Sequence, residues 1–240
     1  MDLSDALEDL VTANRILARE GVVDAFGHVS VRDPADRDRY LMSRARAPEL
    51  IERDDIMAFT LDGVAVDAGD GAAYAERHIH GAVYARRPDV LAVVHSHSPS
   101  TIPFGVTGTP LRPLMHMGAA MGTGIPIWDS RHHFGDTNLL VVNMEMGRDL
   151  AATLGERPVA LMRGHGCVVA GGGLREVVFN AVYLELNADL QLKAQSLGGD
   201  IVFLSDGEAQ AIVGKRKAFT LERAWERWSL RAGRRHDHRP

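Results

Sequence analysis

AERHIHGAVYARRPDVLAVVHSHS, residues 75–98, carries a helix, a stop and a buried strand in direct succession. Residues 75–87 read as a helix, and Pro88 ends it, because proline lacks the N–H that a helix interior needs. The β-branched run DVLAVV then reads as a buried strand. The connection between them is short, so the chain folds back. Glu76, at the start of the helix, is thereby brought toward the end of the strand that carries His95 and His97. Residues two apart in a strand point to one side, so the two imidazoles aim together. Shared coordination of a divalent ion gives that spacing a physical reason. Two satisfied core histidines are the alternative, and spacing alone does not separate the two readings.

Working outward, residues 3–20 place Leu7, Leu10, Val11, Ile16 and Leu17 near one helical face, and Gly21 caps the end. Val29 and Val31 alternate in GHVSVRD as in a strand, and residues 39–42 look like its return. Residues 56–60 and 64–66 flank Leu61-Asp62-Gly63, a hairpin signature. A Pro- and Gly-rich stretch, 99–126, reads as loop with a short helix near 116–121. Further strands are expected at 138–143, 159–162 and 201–204, and long helices at 174–197 and around Leu221, Trp225 and Trp228. The expected architecture is a three-layer α/β/α domain around a central mixed or antiparallel sheet. It would occupy residues 1–230 as one domain, with 231–240 a disordered basic tail.

The 240 residues include 45% hydrophobic and 25% charged side chains, as expected of a globular chain with a sizeable core. A net charge of −5 gives no general basic surface for nucleic acid. The start is an acidic amphipathic helix rather than a signal peptide, and no apolar run is long enough for a membrane. Cys167 is the one cysteine, so no intrachain disulfide forms and a cytoplasmic, reducing location is expected. GxGxxG is absent, which leaves a dinucleotide fold without support.

A third ligand is offered by His165 in RGHGC, just past the 159–162 strand; the competing reading is a tight turn. Glycines on both sides let backbone crowd a site. The glutamate that a cupin would place shortly after HxH is missing, an amidohydrolase barrel would need a longer chain, and a carbonic-anhydrase-like site would need an all-β pattern. Glu76 is the acid–base candidate, against a plain role complementing the helix dipole. His80, one turn on, would orient Glu76 or simply pack. Cys167 reads as a buried small side chain rather than a ligand.

GHVSVRD, LMSRA, residues 75–98, PLMHMGAA and RGHGCVVAGGGLREVVFNAVYLELNADLQLKAQ, in that order, resemble the class II aldolase/adducin family over roughly residues 7–199. The resemblance implies an α/β/α fold and a divalent metal, Mn²⁺ or Zn²⁺, on His95, His97 and His165. It implies Glu76 as the acid–base and homotetramers with sites between subunits.

Departures bear on substrate. The family's sugar-phosphate aldolases grip phosphate with Gly-Asn-x-Ser, a Ser/Thr-Gly pair and a Ser-Ser pair. Here stand Gly27-His28-Val29-Ser30, Ser43-Arg44 and Ala73-Tyr74. Arginine suits bidentate carboxylate binding, so His28, Ser30, Ser43 and Arg44 are the expected substrate contacts. A family His-Tyr pair, whose tyrosine is an acid, becomes His116-Met117; His116 is then the second candidate proton donor. His132 and His133 are open to two readings, substrate pocket or neighbouring subunit. The expected activity is a metal-dependent decarboxylase of a hydroxylated aromatic or heteroaromatic (di)carboxylate. An aldolase or epimerase on an unphosphorylated hydroxy-keto acid is the alternative, and a non-catalytic adducin-like module the second.

Overall fold

A computed structural model describes residues 2–66 and 71–233. Helix α1 (Leu3–Arg19) starts at Asp2, whose side chain accepts from the Asp5 N–H, and gives way to Gly21 at φ +72°. Its buried stripe is Ala6, Leu10, Ala13, Ile16 and Leu17. Each large aliphatic chain on it is worth about 1.5–3 kcal/mol of burial. Strands β1 (His28–Arg32), β2 (Arg39–Ser43) and β3 (Ile56–Thr60) follow as an antiparallel meander. Helix α2 (Arg77–Arg86) leads into β4 (Ala92–Ser96). After the short helix α3 (Ile102–Thr107) come β5 (Ile127–Trp128), α4 (Arg131–Phe134), α5 (Met144–Leu154), β6 (Val159–Met162) and β7 (Gly166–Gly171). The chain closes with α6 (Leu174–Ser196), α7 (Asp206–Gly214) and α8 (Ala218–Arg231).

The strands form one seven-stranded sheet, ordered β3-β2-β1-β4-β7-β6-β5, antiparallel throughout except for the β5–β6 pair. The sheet is therefore mixed, as one of the two expected forms. Side chains alternate between its faces. Val94 and Ala92 join α1, α6 and α8 in one core, while Val93 joins α2 and α5 in the other. These two cores make the three-layer α/β/α arrangement. Strand β4 lies in the middle, which places the HSH end at the centre of the sheet's edge, where strand ends and loops meet.

Several expectations are corrected. Residues 138–143 form no strand: Leu139 sits at φ +67°, and its carbonyl and the Val141 N–H bond to side chains rather than to a neighbouring strand. Residues 201–204 make one backbone bond, Leu204 N–H to the Pro113 carbonyl, and Val202 is exposed, so no ladder forms there. The expected hairpin of 56–60 with 64–66 does form, through bonds from the Thr60 N–H to the Val64 carbonyl and from the Val66 N–H to the Ala58 carbonyl around a Phe59–Ala65 bridge. Strands β5 and β7 and helices α3, α4, α5 and α7 are additions to the expected elements. The expected disordered tail falls mainly on 234–240, outside the described residues. No helix among the described residues is long and apolar enough to cross a membrane.

Candidate active site

Strand β4 pairs with β1 and β7, and their register sets His95 opposite both His28 and Val168. His95 is fully buried on the face that carries α2. His97 follows one residue past the strand. His165 lies in the turn between β6 and β7, where Gly164 takes φ +66°. At Gly166 an added Cβ would stand 2.0 Å from the Ser96 carbonyl oxygen. Only glycine permits that approach, and it draws the His165 turn against the HSH end. The three ring centroids are 4.9–5.2 Å apart.

Each ring has one nitrogen already engaged. His95 Nδ1–H donates to the Cys167 carbonyl (3.1 Å), His165 Nδ1–H to the Leu139 carbonyl (2.9 Å), and His97 Nδ1–H to Asp24 Oδ2 (3.2 Å). Those bonds fix the neutral tautomers with bare Nε2 atoms. The Nε2 atoms of His97 and His165 face each other at 3.1 Å, and buried His95 Nε2 has no hydrogen-bond partner.

Glu76 completes the cluster. It is the first residue of α2's entry, yet its carboxylate makes no cap bond. Oε1 accepts from the Val141 N–H (2.9 Å), and Oε2 stands 3.4 Å from His165 Nε2 and 3.6 Å from His95 Nε2. Four ligands at 2.0–2.2 Å on a tetrahedral ion lie about 3.4 Å from one another. Glu76, His95, His97 and His165 offer atoms within 4.8 Å of one another, a group that could hold a metal ion.

The electrostatics agree. Burial raises the Glu76 pKa, but the charge that His165 and then His95 can carry beside it, with the Val141 N–H, outweighs burial and holds the carboxyl at about 2. Burial pushes His95 down to about 3. Burial also opposes charge on His165, yet Glu76 and the Leu139 carbonyl raise its pKa overall. The site is thus built to attract a cation while keeping two of its donors unprotonated. Burial lifts the Cys167 thiol to about 11, which suits a packed side chain, and its carbonyl rather than its sulfur serves the site.

Residues 8–192 match the class II aldolase and adducin N-terminal domain, more than half of the chain. The chain belongs to the class II aldolase and adducin family. It is 34% identical to the decarboxylase tropJ of Talaromyces stipitatus, over 91% of this chain and 90% of that protein. It is 29% identical to a 3,4-dihydroxyphthalate decarboxylase of Arthrobacter keyseri, over 92% of this chain and 91% of that protein. The aldolase II superfamily protein from Pseudomonas syringae shares the fold at a TM-score of 0.80, with 23% identity over 96% of this chain and 93% of that one. The relatives make this aldolase-family chain kin to carbon–carbon lyases that include decarboxylases.

The other expected residues are distributed unevenly in this class II aldolase fold. The His28 ring lies 5.0 Å from the His95 ring and 4.6 Å from the Tyr74 ring. Burial, then the neighbouring imidazoles, hold its pKa well below the ordinary value. Ser30, expected to touch substrate, is fully buried, and its hydroxyl is taken up by His80 and Tyr84. It lies behind His28 and has no free face. His80 bonds to His28 and Ser30 and makes no bond to Glu76, so orientation of Glu76 falls to Val141 instead. Ser43 is buried at the end of β2. Arg44 is half exposed and pairs with Asp55, which Arg46 also holds (2.7 Å).

His116 is not brought to the cluster within one chain. It sits exposed on the 3₁₀ turn His116–Met121 and lines a cleft of about 340 Å³ with Met117, Phe179 and Arg216. Phe179 and Met117 belong to the core on the sheet's other face. His133 bonds to Asp149 (2.7 Å), and His132 is exposed on the same short helix, α4. Sequence reasoning missed Asp24 and the 139–141 backbone. A main-chain carbonyl or N–H leaves no trace in residue type, and Asp24 is one aspartate among many.

Proposed function

We propose that this chain is a metal-dependent decarboxylase that removes CO2 from a hydroxylated aromatic or heteroaromatic (di)carboxylate. The observation that carries the reading is the meeting of an ionised Glu76 with three converging Nε2 atoms, in a chain whose near-full-length relatives are decarboxylases. His95, His97 and His165 would hold the ion, Mn²⁺ or Zn²⁺, with Glu76 beside it. A divalent ion bound there supplies a Lewis acid that stabilises the charge left as CO2 departs.

Glu76 is a carboxylate at neutral pH, so it accepts a proton first. It takes the proton of the ring hydroxyl and returns it to the ring carbon that bears the carboxylate. The C–C bond then breaks, its electron pair restores the aromatic ring, and CO2 leaves. Two guanidinium groups, Arg44 and Arg46, share one carboxylate, Asp55, and so keep one positive charge in excess. That charge, with Ser43 next to it, would receive a second carboxylate of the substrate. His116 lies outside the Glu76 cluster of its own chain, so it would serve a neighbouring copy in a homotetramer. The single reduced cysteine fits a cytoplasmic enzyme, and no nucleic-acid or membrane partner is proposed.

Elemental analysis joined to a CO2-release screen over hydroxylated benzene and pyridine dicarboxylates tests the reading. Glu76→Gln should keep the metal and lower turnover about 100- to 10,000-fold. His95→Ala should lose the metal. An aldehyde product in place of CO2 would transfer the chain to the aldolases, and full metal content in His95→Ala would contradict the ligand set.

A further inference from the structure

Behind the metal cluster runs a buried line of hydrogen bonds that the proposed reaction does not use. Tyr84, on α2, is buried and has Ser30 Oγ at 2.8 Å as the side-chain partner of its hydroxyl. Ser30 Oγ lies 2.6 Å from His80 Nδ1, and His80 Nε2 lies 2.8 Å from His28 Nδ1. His28 then stands beside His95 across the β1–β4 register. Among the described residues no group bonds to His28 Nε2.

The protons in such a line can run in one of two directions. If they ran from His28 inward, His28 Nδ1–H would donate to His80, His80 to Ser30, and Ser30 to Tyr84. The Tyr84 proton would then be buried with no acceptor, a loss comparable to a whole desolvated donor. Running outward, every donor within the line meets an acceptor, and the one left over, His28 Nε2–H, is left for a ligand. Tyr84 O–H donates to Ser30, Ser30 O–H to His80 Nδ1, and His80 Nε2–H to His28 Nδ1. The second direction leaves His28 as the Nε2–H tautomer. The nitrogen not turned toward His80 is then the line's one unmatched donor, on a buried ring 5.0 Å from the His95 ring.

We infer that His28 is a fixed N–H donor into the active site, locked by Tyr84, Ser30 and His80, and that it binds an anionic oxygen of the ligand, namely a ring carboxylate. The line delivers no proton to the reaction, because its far end, Tyr84, is buried and cannot be refilled from solvent. It acts as a tautomer lock: Tyr84, Ser30 and His80 are positioning residues, and His28 is the group that touches ligand. A ligand that offers a donor at this place would meet another donor and be rejected. The ligand class rests on the decarboxylase reading; the tautomer does not.

The test is long-range ¹H–¹⁵N correlation on the Zn²⁺-loaded, ¹⁵N-histidine-labelled full-length protein, with the His28 signals assigned by their loss in His28→Leu. His28 should be the Nε2–H tautomer, and the unreactive probe phthalate should shift its Nε2–H proton downfield. Phthalate affinity should fall about tenfold in His28→Leu. In Tyr84→Phe a population of Nδ1–H should appear on His28. An Nδ1–H His28 in the wild type overturns the inference. So does phthalate that does not bind, or that binds His28→Leu as well as it binds the wild type. An unchanged tautomer in Tyr84→Phe removes Tyr84 from the lock. Absence of CO2 release from every ring carboxylate, with the His28 results as expected, would defeat the decarboxylase reading and leave the donor standing.

Discussion

A histidine that donates through Nδ1 has one lone pair left, and in this protein three such lone pairs face one point. Without a cation, His97 and His165 would hold bare nitrogens 3.1 Å apart, which is repulsive. The acceptors on the Nδ1 side therefore matter as much as the rings. Two of them are main-chain carbonyls, Cys167 and Leu139, and substitution cannot remove them. The third is Asp24, a half-exposed carboxylate that also accepts from the Phe26 and Gly27 N–H groups. Asp24→Ala should free the His97 ring and weaken metal binding about 10- to 100-fold. Titration against a chelator of known affinity reads the change; an affinity equal to wild type would show that His97 needs no orienting partner. Thermal stability should fall by about 1 kcal/mol or less, since the Phe26 and Gly27 N–H groups lose an acceptor beside solvent.

At the scale of elements, the loop after β2 is tied by one buried acid. Asp55 accepts from Arg44, from Arg46 and from the Glu52 N–H. Burial raises its pKa, but the two guanidinium groups and that N–H outweigh burial and hold it below the ordinary value. A carboxyl whose folded pKa is depressed stabilises the fold above its unfolded value, about 3.9, and loses that contribution as pH falls through the folded value. Asp55→Asn should thus cost about 1–2 kcal/mol at pH 7, and the gap from wild type should begin to narrow below about pH 4 and close as the pH falls through the folded value. Urea melts at pH 7 and at steps below pH 4 measure it; a gap of unchanged size as the pH falls would place its origin outside the charge. The same loop shows what the sequence makes legible. Strands β1, β2, β4 and β6 and helices α1, α2, α6 and α8 announce themselves by alternation, β-branched runs or an apolar stripe. The run LLVV at 139–142 has strand composition too, yet its backbone is engaged by Glu76 and His165, and tertiary bonds override local preference. Strand β7 is hidden because Gly166, needed to approach Ser96, looks like a turn residue. In the cluster the ring spacing and Glu76 were readable, while the orienting carbonyls and Asp24 were not.

At the scale of the molecule, α6 keeps one face out of the core. Leu186, Leu190 and Leu197 are 45%, 41% and 85% exposed. At 3.6 residues per turn they fall on one stripe. Lys193 lies between Leu190 and Leu197 on it, and we take the stripe as the candidate contact between copies. The 3₁₀ turn that carries His116 packs against this same helix, where Asn187 accepts from the Leu114 N–H (2.9 Å). A second copy seated on the stripe is the arrangement proposed to bring a neighbour near His116, which is not part of the Glu76 cluster of its own chain. Leu190→Lys places a charge in the middle of the stripe and should shift sedimentation toward a smaller species without unfolding the domain. Each copy should keep its full metal content, because every proposed ligand lies in one chain, while turnover falls with the assembly. A dissociated variant that retains full turnover would remove His116 from the reaction and leave Glu76 to carry the proton alone. An assembly that survives the substitution would place the subunit contact on another face.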